Sequence, residues 1–248
     1  MSESFAYPGR ELETMAEAVN YHRWILDIFE SYLGEHLVEV GAGLGSISEM
    51  ILGGHRCQTL ALVEPSDRMY QDLSERARQL NTQTRVETFN GTFPALARVI
   101  TRRQAPDSII YINVLEHIED DEAELRSVHE SLTQNGRVLI FVPALNWLYG
   151  RFDQRLGHYR RYTKTELDEK LKRAGFTLLR STYFDMTGII PWWIKYRVFR
   201  SETMEQSAVR FYDRFIVPTL RWIETRVPPP IGKNIIAIAE KRSPGCAN

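Results

Sequence analysis

The stretch from Leu37 to Ile51, LVEVGAGLGSISEMI, constrains the fold of this chain more than any other. Leu37, Val38 and Val40 form a short apolar, β-branched run that reads as a buried parallel strand, and Gly41, Gly43 and Gly45 follow it before an amphipathic segment. The order is therefore strand, tight loop, helix. Glycine is needed where the backbone turns at dihedrals that a side chain resists, and where a ligand touches the main chain itself. A βα turn with no ligand satisfies the same pattern, so the neighbouring residues have to decide.

The spacing is Glu39-x-Gly41-x-Gly43-x-Gly45, and Ser46 stands where the third glycine of a dinucleotide site, G-x-G-x-x-G, would fall. A second apolar run, Thr59 to Val63, ends in Glu64, about two dozen residues after the first glycine. In a βαβ unit this places a carboxylate at the tip of the neighbouring strand, where it accepts hydrogen bonds from both hydroxyls of a ribose. With these residues the sequence resembles the class I S-adenosylmethionine (SAM)-dependent methyltransferases, whose first motif is this acidic-x-Gly-x-Gly-x-Gly loop. The resemblance implies an α/β, Rossmann-like seven-stranded sheet with helices on both faces. It also implies a SAM cofactor, leaving S-adenosylhomocysteine as product, held by Glu39, Gly41, Gly43, Gly45, Glu64 and Pro65.

The chain can be taken in order against that expectation. Glu11 to Tyr32 has a helical pattern, and in the family such a helix commonly caps the cofactor, which makes Tyr21 a cofactor-side candidate and Trp24 a core residue. Residues 45–53 read as the helix after the loop, and Glu64-Pro65-Ser66-Asp67 as a strand tip running into a helix that ends near Leu80. Arg85 to Phe89 is a third strand, ending at Asn90-Gly91-Thr92. The family often has an acidic residue here that reaches the adenine amino group; Asn90 has suitable chemistry, and a plain turn explains Asn-Gly as well. Asp107 to Asn113 is a fourth strand leading into Val114-Leu115-Glu116-His117-Ile118. This run looks like the fourth motif of small-molecule class I methyltransferases, which implies that Asn113, Val114 and Leu115 pass the cofactor. His117 is then the titratable side chain nearest the methyl and a candidate general base, and His158 is the second candidate. The acidic run Glu119 to Glu124 reads as the favoured N-terminal turn of a following helix, and no metal site is read anywhere in the chain.

Arg137 to Val142 is a fifth strand that stops at Pro143. The next segment, ALNWLYGRFDQRLGHYRRYTKTEL, is too polar and irregular to be expected in a core. From Arg155 to Lys164 it carries Arg155, His158, Arg160, Arg161 and Lys164 with no acid, interleaved with Tyr159 and Tyr162. It resembles an Asp-x(3–4)-Gly-His-x-Arg-Arg-Tyr segment of a bacterial subgroup of these enzymes, matched by Asp153, Gly157, His158, Arg160, Arg161 and Tyr162. It reads as a substrate-facing loop or as solvated surface. The substrate candidates are Asp153, Arg160, Arg161, Tyr162 and the tyrosine next to Leu148, Tyr149, because paired guanidinium groups suit phosphate or carboxylate and tyrosines stack on flat or apolar groups. Thr163 to Ala174 is a helix, Phe176 to Phe184 the sixth strand and Asn234 to Ala239 the seventh.

The domain plan is a single unit over 1–248: an N-terminal cap helix in 1–35, a cofactor-binding core in 36–184, a helical insertion in 185–232, and the last strand in 233–241. The insertion holds Ile189-Ile190-Pro191-Trp192-Trp193-Ile194 followed by Lys195, Arg197 and Arg200, and a second amphipathic helix about Pro218. It reads as a lid over an apolar substrate, with peripheral membrane contact as the alternative.

Composition narrows the function. A net charge of −1 gives no global signal for nucleic acid, and no Asp/Glu-Pro-Pro-Tyr motif of the amino-methylating DNA enzymes is present. Cys57 and Cys246 are the only cysteines, which suits a reducing, cytoplasmic compartment. No apolar run approaches the ~20 residues of a bilayer span. The expected activity is methyl transfer from SAM to a small or lipid-linked, anionic metabolite. A nicotinamide-dependent oxidoreductase on the same architecture and a SAM-binding, non-catalytic partner subunit are the alternatives.

Overall fold

Side chains alternate across each central strand, so one apolar sequence supplies two cores. In the computed structural model, which describes residues 14, 15 and 17–242, the strands are β1 (His36–Val40), β2 (Thr59–Glu64), β3 (Arg85–Asn90), β4 (Ser108–Ile112), β5 (Arg137–Pro143), β6 (Thr177–Phe184) and β7 (Asn234–Glu240). They form one sheet in the order β3-β2-β1-β4-β5-β7-β6. The first five are mutually parallel where they pair, and β7 runs antiparallel to both β5 and β6. Seven strands and helices on both faces are what the sequence implied, and each strand lies within a residue or two of its expected bounds.

Val38, Val40, Ile109, Tyr111, Val138 and Ile140 face one layer, which contains Phe93, Ala97 and Ile100 of the helix Phe93–Arg103 and Leu125 and Val128 of the helix Asp121–Ser131. Leu37, Leu60, Leu62, Ile110, Leu139 and Phe141 face the other. That second layer is closed by the N-terminal helix Val19–Phe29, the helix Ser46–Gly54 and the helix Val217–Glu224. Trp24 is core, as expected: it is 2% exposed and its ring lies 3.8 Å from that of Phe184. Burying a ring of this size contributes about 1.5–3 kcal/mol.

The helix expected from Glu11 to Tyr32 is shorter among the described residues. It spans Val19–Phe29 and tightens into one 3-10 turn, Glu30–Tyr32, while residues 11–13 lie outside the described set. Elsewhere the caps match the sequence. Ser66 Oγ accepts from Met69 N ahead of the helix Asp67–Gln79, and Thr163 Oγ1 accepts from Glu166 N at 3.2 Å ahead of the helix Lys164–Arg173.

The insertion holds two helical stretches, residues 189–198 and 206–224, and neither is uniformly α. Ile189–Trp192 passes into a π segment, Trp193–Val198, and Gln206–Phe211 passes through a second, Tyr212–Ile216, into Val217–Glu224. The second π segment ends just before Pro218, whose missing N–H removes an ordinary helical bond and so explains the widened turn.

The expectation that residues 144–167 are too polar for the core is overturned for part of the segment, while Trp147, Arg151, Arg155 and Tyr159 stay exposed. Leu148, Phe152 and Tyr162 are fully buried, and so is Asp153. The segment folds back along the end of β5: Ala144 bridges Tyr162 in parallel, Tyr162 N donates to Pro143 O, and Leu145 N donates to Tyr162 O. Its buried charges, Asp153 and Arg161, pair with each other, and the half-buried Arg160 meets Asp121 from the helix Asp121–Ser131, while Arg151 and Arg155 stay exposed.

Candidate active site

Strand order reverses between β1 and β4, so the loops leaving their carboxyl ends diverge and open a crevice. A cleft of about 660 Å³ lies there, lined from one end by Glu39, Gly41, Gly43 and Glu64 and from the other by His117, His158 and Arg161. Such a volume suits a small-molecule site.

The glycine loop is held from beneath. Gly41 N and Ala42 N both donate to Val63 O, at 2.8 and 3.1 Å, and Gly45 N donates to Ala42 O at 2.9 Å. Gly41 sits at φ +70, and a Cβ built on it would meet Val114 Cγ2 at 2.5 Å, so a side chain there would collide with the β4 loop. Gly43, at φ +56, is different: its Cβ position has no described residue within 4 Å, so the main chain faces the cleft. That is the cradle a ligand approaching the backbone requires.

Glu64 closes the loop from the next strand. Its Oε2 accepts from Gly43 N at 2.8 Å and its Oε1 from Ser66 N at 2.9 Å, which leaves further lone pairs toward the cleft. Burial pushes its carboxyl up, against the two amides that pull it down. Glu39 lies deeper, bonded by Ser48 Oγ at 2.5 Å, and burial pushes it up to about 7 despite that bond. Pro65, Gly91 and Thr92 line the same end, as do Asn113, held at φ 54 with its amide donating to Phe141 O, and Val114. Tyr21 reaches the wall from the N-terminal helix, with its amide donating to Asp213 Oδ1 and its hydroxyl 3.0 Å from Asp185 Oδ2.

Three residues expected on this side do not reach the cleft wall. Asn90 is exposed and spends its amide on Asp67 Oδ1 at 2.6 Å, so it points along the sheet edge. Gly45, at φ +83, shapes the helix start, and Leu115 is fully buried in the core.

At the opposite end His117 and His158 stand edge to face, ring centroids 4.5 Å apart. Burial, reinforced by the nearby His158, lowers His117 to about 3, although one ring nitrogen is bonded to the Gly157 backbone. Glu116 is 0% exposed, and burial pushes its carboxyl up to about 7 against the opposing influence of His158 and Arg161. His158 Nδ1 is 3.1 Å from Asp153 Oδ1, and the same oxygen accepts from Arg161 Nε at 2.8 Å. Burial alone would raise Asp153, but its bond with His158 and the Arg161 charge outweigh that and hold it below the usual carboxylate range.

The basic loop was expected to lack compensating acids, and the structure corrects this. Asp121, forty residues upstream, is within 2.8 Å of Arg160 Nη1, accepts from Tyr162 Oη at 2.7 Å and binds Lys170 at 2.7 Å. Arg160 also donates to Glu119 O, and Tyr149 Oη donates to His158 O at 2.7 Å. Of the substrate candidates only Arg161 therefore lines the cleft; Asp153, Arg160, Tyr162 and Tyr149 build the wall behind it. Phe152, Trp192, Lys195 and Tyr196 line this end and were missed as site residues. Phe152 and Tyr196 stack at 4.3 Å, and Arg161 lies 4.8 Å from the Trp192 ring centroid. For Trp192, Lys195 and Tyr196 the one sequence signal was the apolar-then-basic run of the insertion.

The sequence profile described as a methyltransferase domain matches residues 4–181. This chain belongs to that methyltransferase family. It is a SAM-dependent methyltransferase, and the open cradle at Gly43 beside Glu64 fits that cofactor. No curated protein sequence matches the chain. Among solved structures the methyltransferase is similar to a putative sarcosine dimethylglycine methyltransferase from Galdieria sulphuraria (TM-score 0.59, 12% identity, 90% of this chain and 86% of that one). It is also similar to the N-methyltransferase NodS from Bradyrhizobium japonicum WM9 in complex with S-adenosyl-l-homocysteine (TM-score 0.57, 11% identity, 96% and 90%). A third is a chain from the complex between the Haloferax volcanii Trm112 methyltransferase activator and a putative methyltransferase (TM-score 0.59, 13% identity, 90% and 92%). At these identities the likeness concerns the fold.

Proposed function

We propose that the methyltransferase transfers its methyl group to a small or lipid-linked acceptor with an anionic head and an apolar remainder. One observation carries this reading: the cleft runs without interruption from the Gly43 cradle to a wall that combines Arg161 and Lys195 with Phe152, Trp192 and Tyr196. When bound, SAM supplies an electrophilic sulfonium methyl with a good leaving group, so alignment is the main demand on the protein. Glu64 and the glycine loop hold the cofactor end, with Tyr21, Glu39, Asn113 and Val114 around it. His117 and His158 face the acceptor end, where they position the acceptor. The insertion excludes water over the junction.

The buried ion pair decides which variant tests the acceptor: Arg161→Ala would strand the buried Asp153, so its effect on activity would be mixed with unfolding. Lys195 is a cleaner probe, since it lines the cleft and its ion pair with Glu205 is long, at 3.7 Å. With a metabolite and lipid extract fractionated on an anion exchanger, S-adenosylhomocysteine release should follow the retained, anionic fraction. Lys195→Gln should raise the acceptor KM about three- to tenfold, the effect of roughly 0.7–1.4 kcal/mol from a partly screened charge, and leave SAM binding unchanged. Turnover confined to the unretained fraction would contradict the anionic acceptor.

The outer side of the insertion supports peripheral membrane contact as well as a lid. Twelve of the sixteen exposed large apolar side chains among the described residues fall between Met186 and Ile231, including Phe199, Phe211, Phe215 and Trp222. The same segment holds seven basic residues, while Asp213 and Glu224 are buried, leaving Glu202 and Glu205 as its acids outside the core. No helix is long and apolar enough to cross a membrane among the described residues. Aromatic side chains flanked by arginine suit the interface of an anionic bilayer. The protein should co-sediment with anionic phospholipid vesicles and not with neutral ones, and Phe215→Ser with Trp222→Ser should release most of it. Equal recovery in the supernatant with both vesicle types would leave the insertion a lid only.

A further inference from the structure

We propose that Glu116, His117 and His158 form a binding site for a divalent transition-metal ion at the acceptor end of the cleft. One ligand atom from each lies within 4.8 Å of the others, and all three residues line the cleft. His158 is distant in the chain from Glu116 and His117, so residue spacing carries no metal signal for this set. The fold fixes the crossing: Tyr159 N donates to Glu116 O at 2.8 Å, which ties the basic loop to the turn Leu115–His117.

Glu116 makes the strongest case. Its side chain is fully buried, and neither carboxylate oxygen has a hydrogen-bond partner among the described residues. A carboxylate taken out of water without donors is costly, and such groups are paired or coordinate metals. The cationic groups near it are already engaged: Arg161 gives its Nε to Asp153 and its Nη1 to Ala144 O, and His158 Nδ1 is 3.1 Å from Asp153 Oδ1. A cation between Glu116 and the two rings would satisfy both oxygens at once.

The surroundings of the two histidines are those of metal ligands. Asp153 accepts from His158 Nδ1, which puts the ring's lone pair on Nε2, and Asp153 is itself fixed by Gly150 N at 2.9 Å and by Arg161. A carboxylate behind an imidazole orients the ring and raises its basicity toward a metal. His117 is likewise tied through one ring nitrogen to the Gly157 backbone, which orients its ring. Two imidazoles and one carboxylate make a ligand set with open positions, as in catalytic zinc and non-haem iron sites. Ligand atoms about 2.1 Å from one ion lie roughly 3.3 Å apart, so side-chain rotations of about an ångström close the set. Resting on the function proposed above, the open positions would take the anionic oxygens of the acceptor.

The test uses the full chain, freed of metal with a chelator, and Co²⁺ or Zn²⁺ as the probe. Wild type should bind one equivalent of Co²⁺ with visible d–d absorption of a four- or five-coordinate site, and retain one Zn²⁺ through desalting. His158→Ala and Glu116→Gln should each weaken binding at least tenfold, and His55→Ala, outside the cleft, should bind like wild type. Uptake well below one equivalent by wild type overturns the proposal whatever the variants do, and so does wild-type affinity in folded His158→Ala or His117→Gln. Calorimetry with SAM on the same metal-free protein separates the two readings. SAM binding without metal uptake removes only the metal site, whereas loss of SAM binding removes the functional reading.

Discussion

Asp153→Ala should cost about 3–5 kcal/mol of folding stability, which at this chain length lowers Tm by roughly 6–20 °C. The carboxylate is 0% exposed and accepts from Gly150 N and Arg161 Nε, with His158 Nδ1 at 3.1 Å. Deleting it leaves the Arg161 guanidinium, 2% exposed, buried without its counter-charge, and that uncompensated charge dominates the cost. Removing both partners should hurt less than the two single losses combined: Asp153→Ala with Arg161→Leu should recover part of the Tm, because an apolar side chain replaces the stranded charge. Thermal melts followed by circular dichroism read both outcomes. A single variant melting within about 2 °C of wild type would show that the ion pair contributes nothing net.

The same ion pair shows where the sequence was legible and where it was not. The cofactor half is local: a strand, three glycines and a helix start are contiguous, and Glu64 follows one βα unit later, so pattern and spacing place them together. Strand bounds were legible because β-branched runs between turn residues leave few alternatives. The acceptor half is assembled from distant pieces. Asp121 serves Arg160, Tyr162 and Lys170 across some forty to fifty residues, so a segment that reads as an unbalanced basic loop is neutralised within the fold. Polarity then gave the wrong burial for Asp153, Arg161 and Tyr162. Glu116 shows the converse. Beside His117 in NVLEHI it carries no sign that its side chain will be buried and unbonded, since that depends on a loop that arrives after β5. Asn90 shows how local chemistry misleads: its amide suits adenine, but the nearer carboxylate of Asp67 takes it.

The second large effect is expected at Glu64, and it bears on the whole functional account. Glu64 joins the glycine loop to β2 through Gly43 N and presents its remaining lone pairs to the cleft, where the ribose hydroxyls would donate. Glu64→Ala leaves those hydroxyls without a charged acceptor and releases Gly43, at a cost of about 1.5–3 kcal/mol in binding. Glu64→Gln keeps an acceptor oxygen and should fall between the two. Isothermal calorimetry of wild type and Glu64→Ala with SAM, with NADH as the comparison ligand and circular dichroism to verify folding, tests this most directly. The account predicts one SAM per chain, no NADH binding, and a loss of SAM affinity of at least tenfold in a folded Glu64→Ala. Wild-type SAM affinity in that folded variant, or NADH binding in place of SAM, would contradict it.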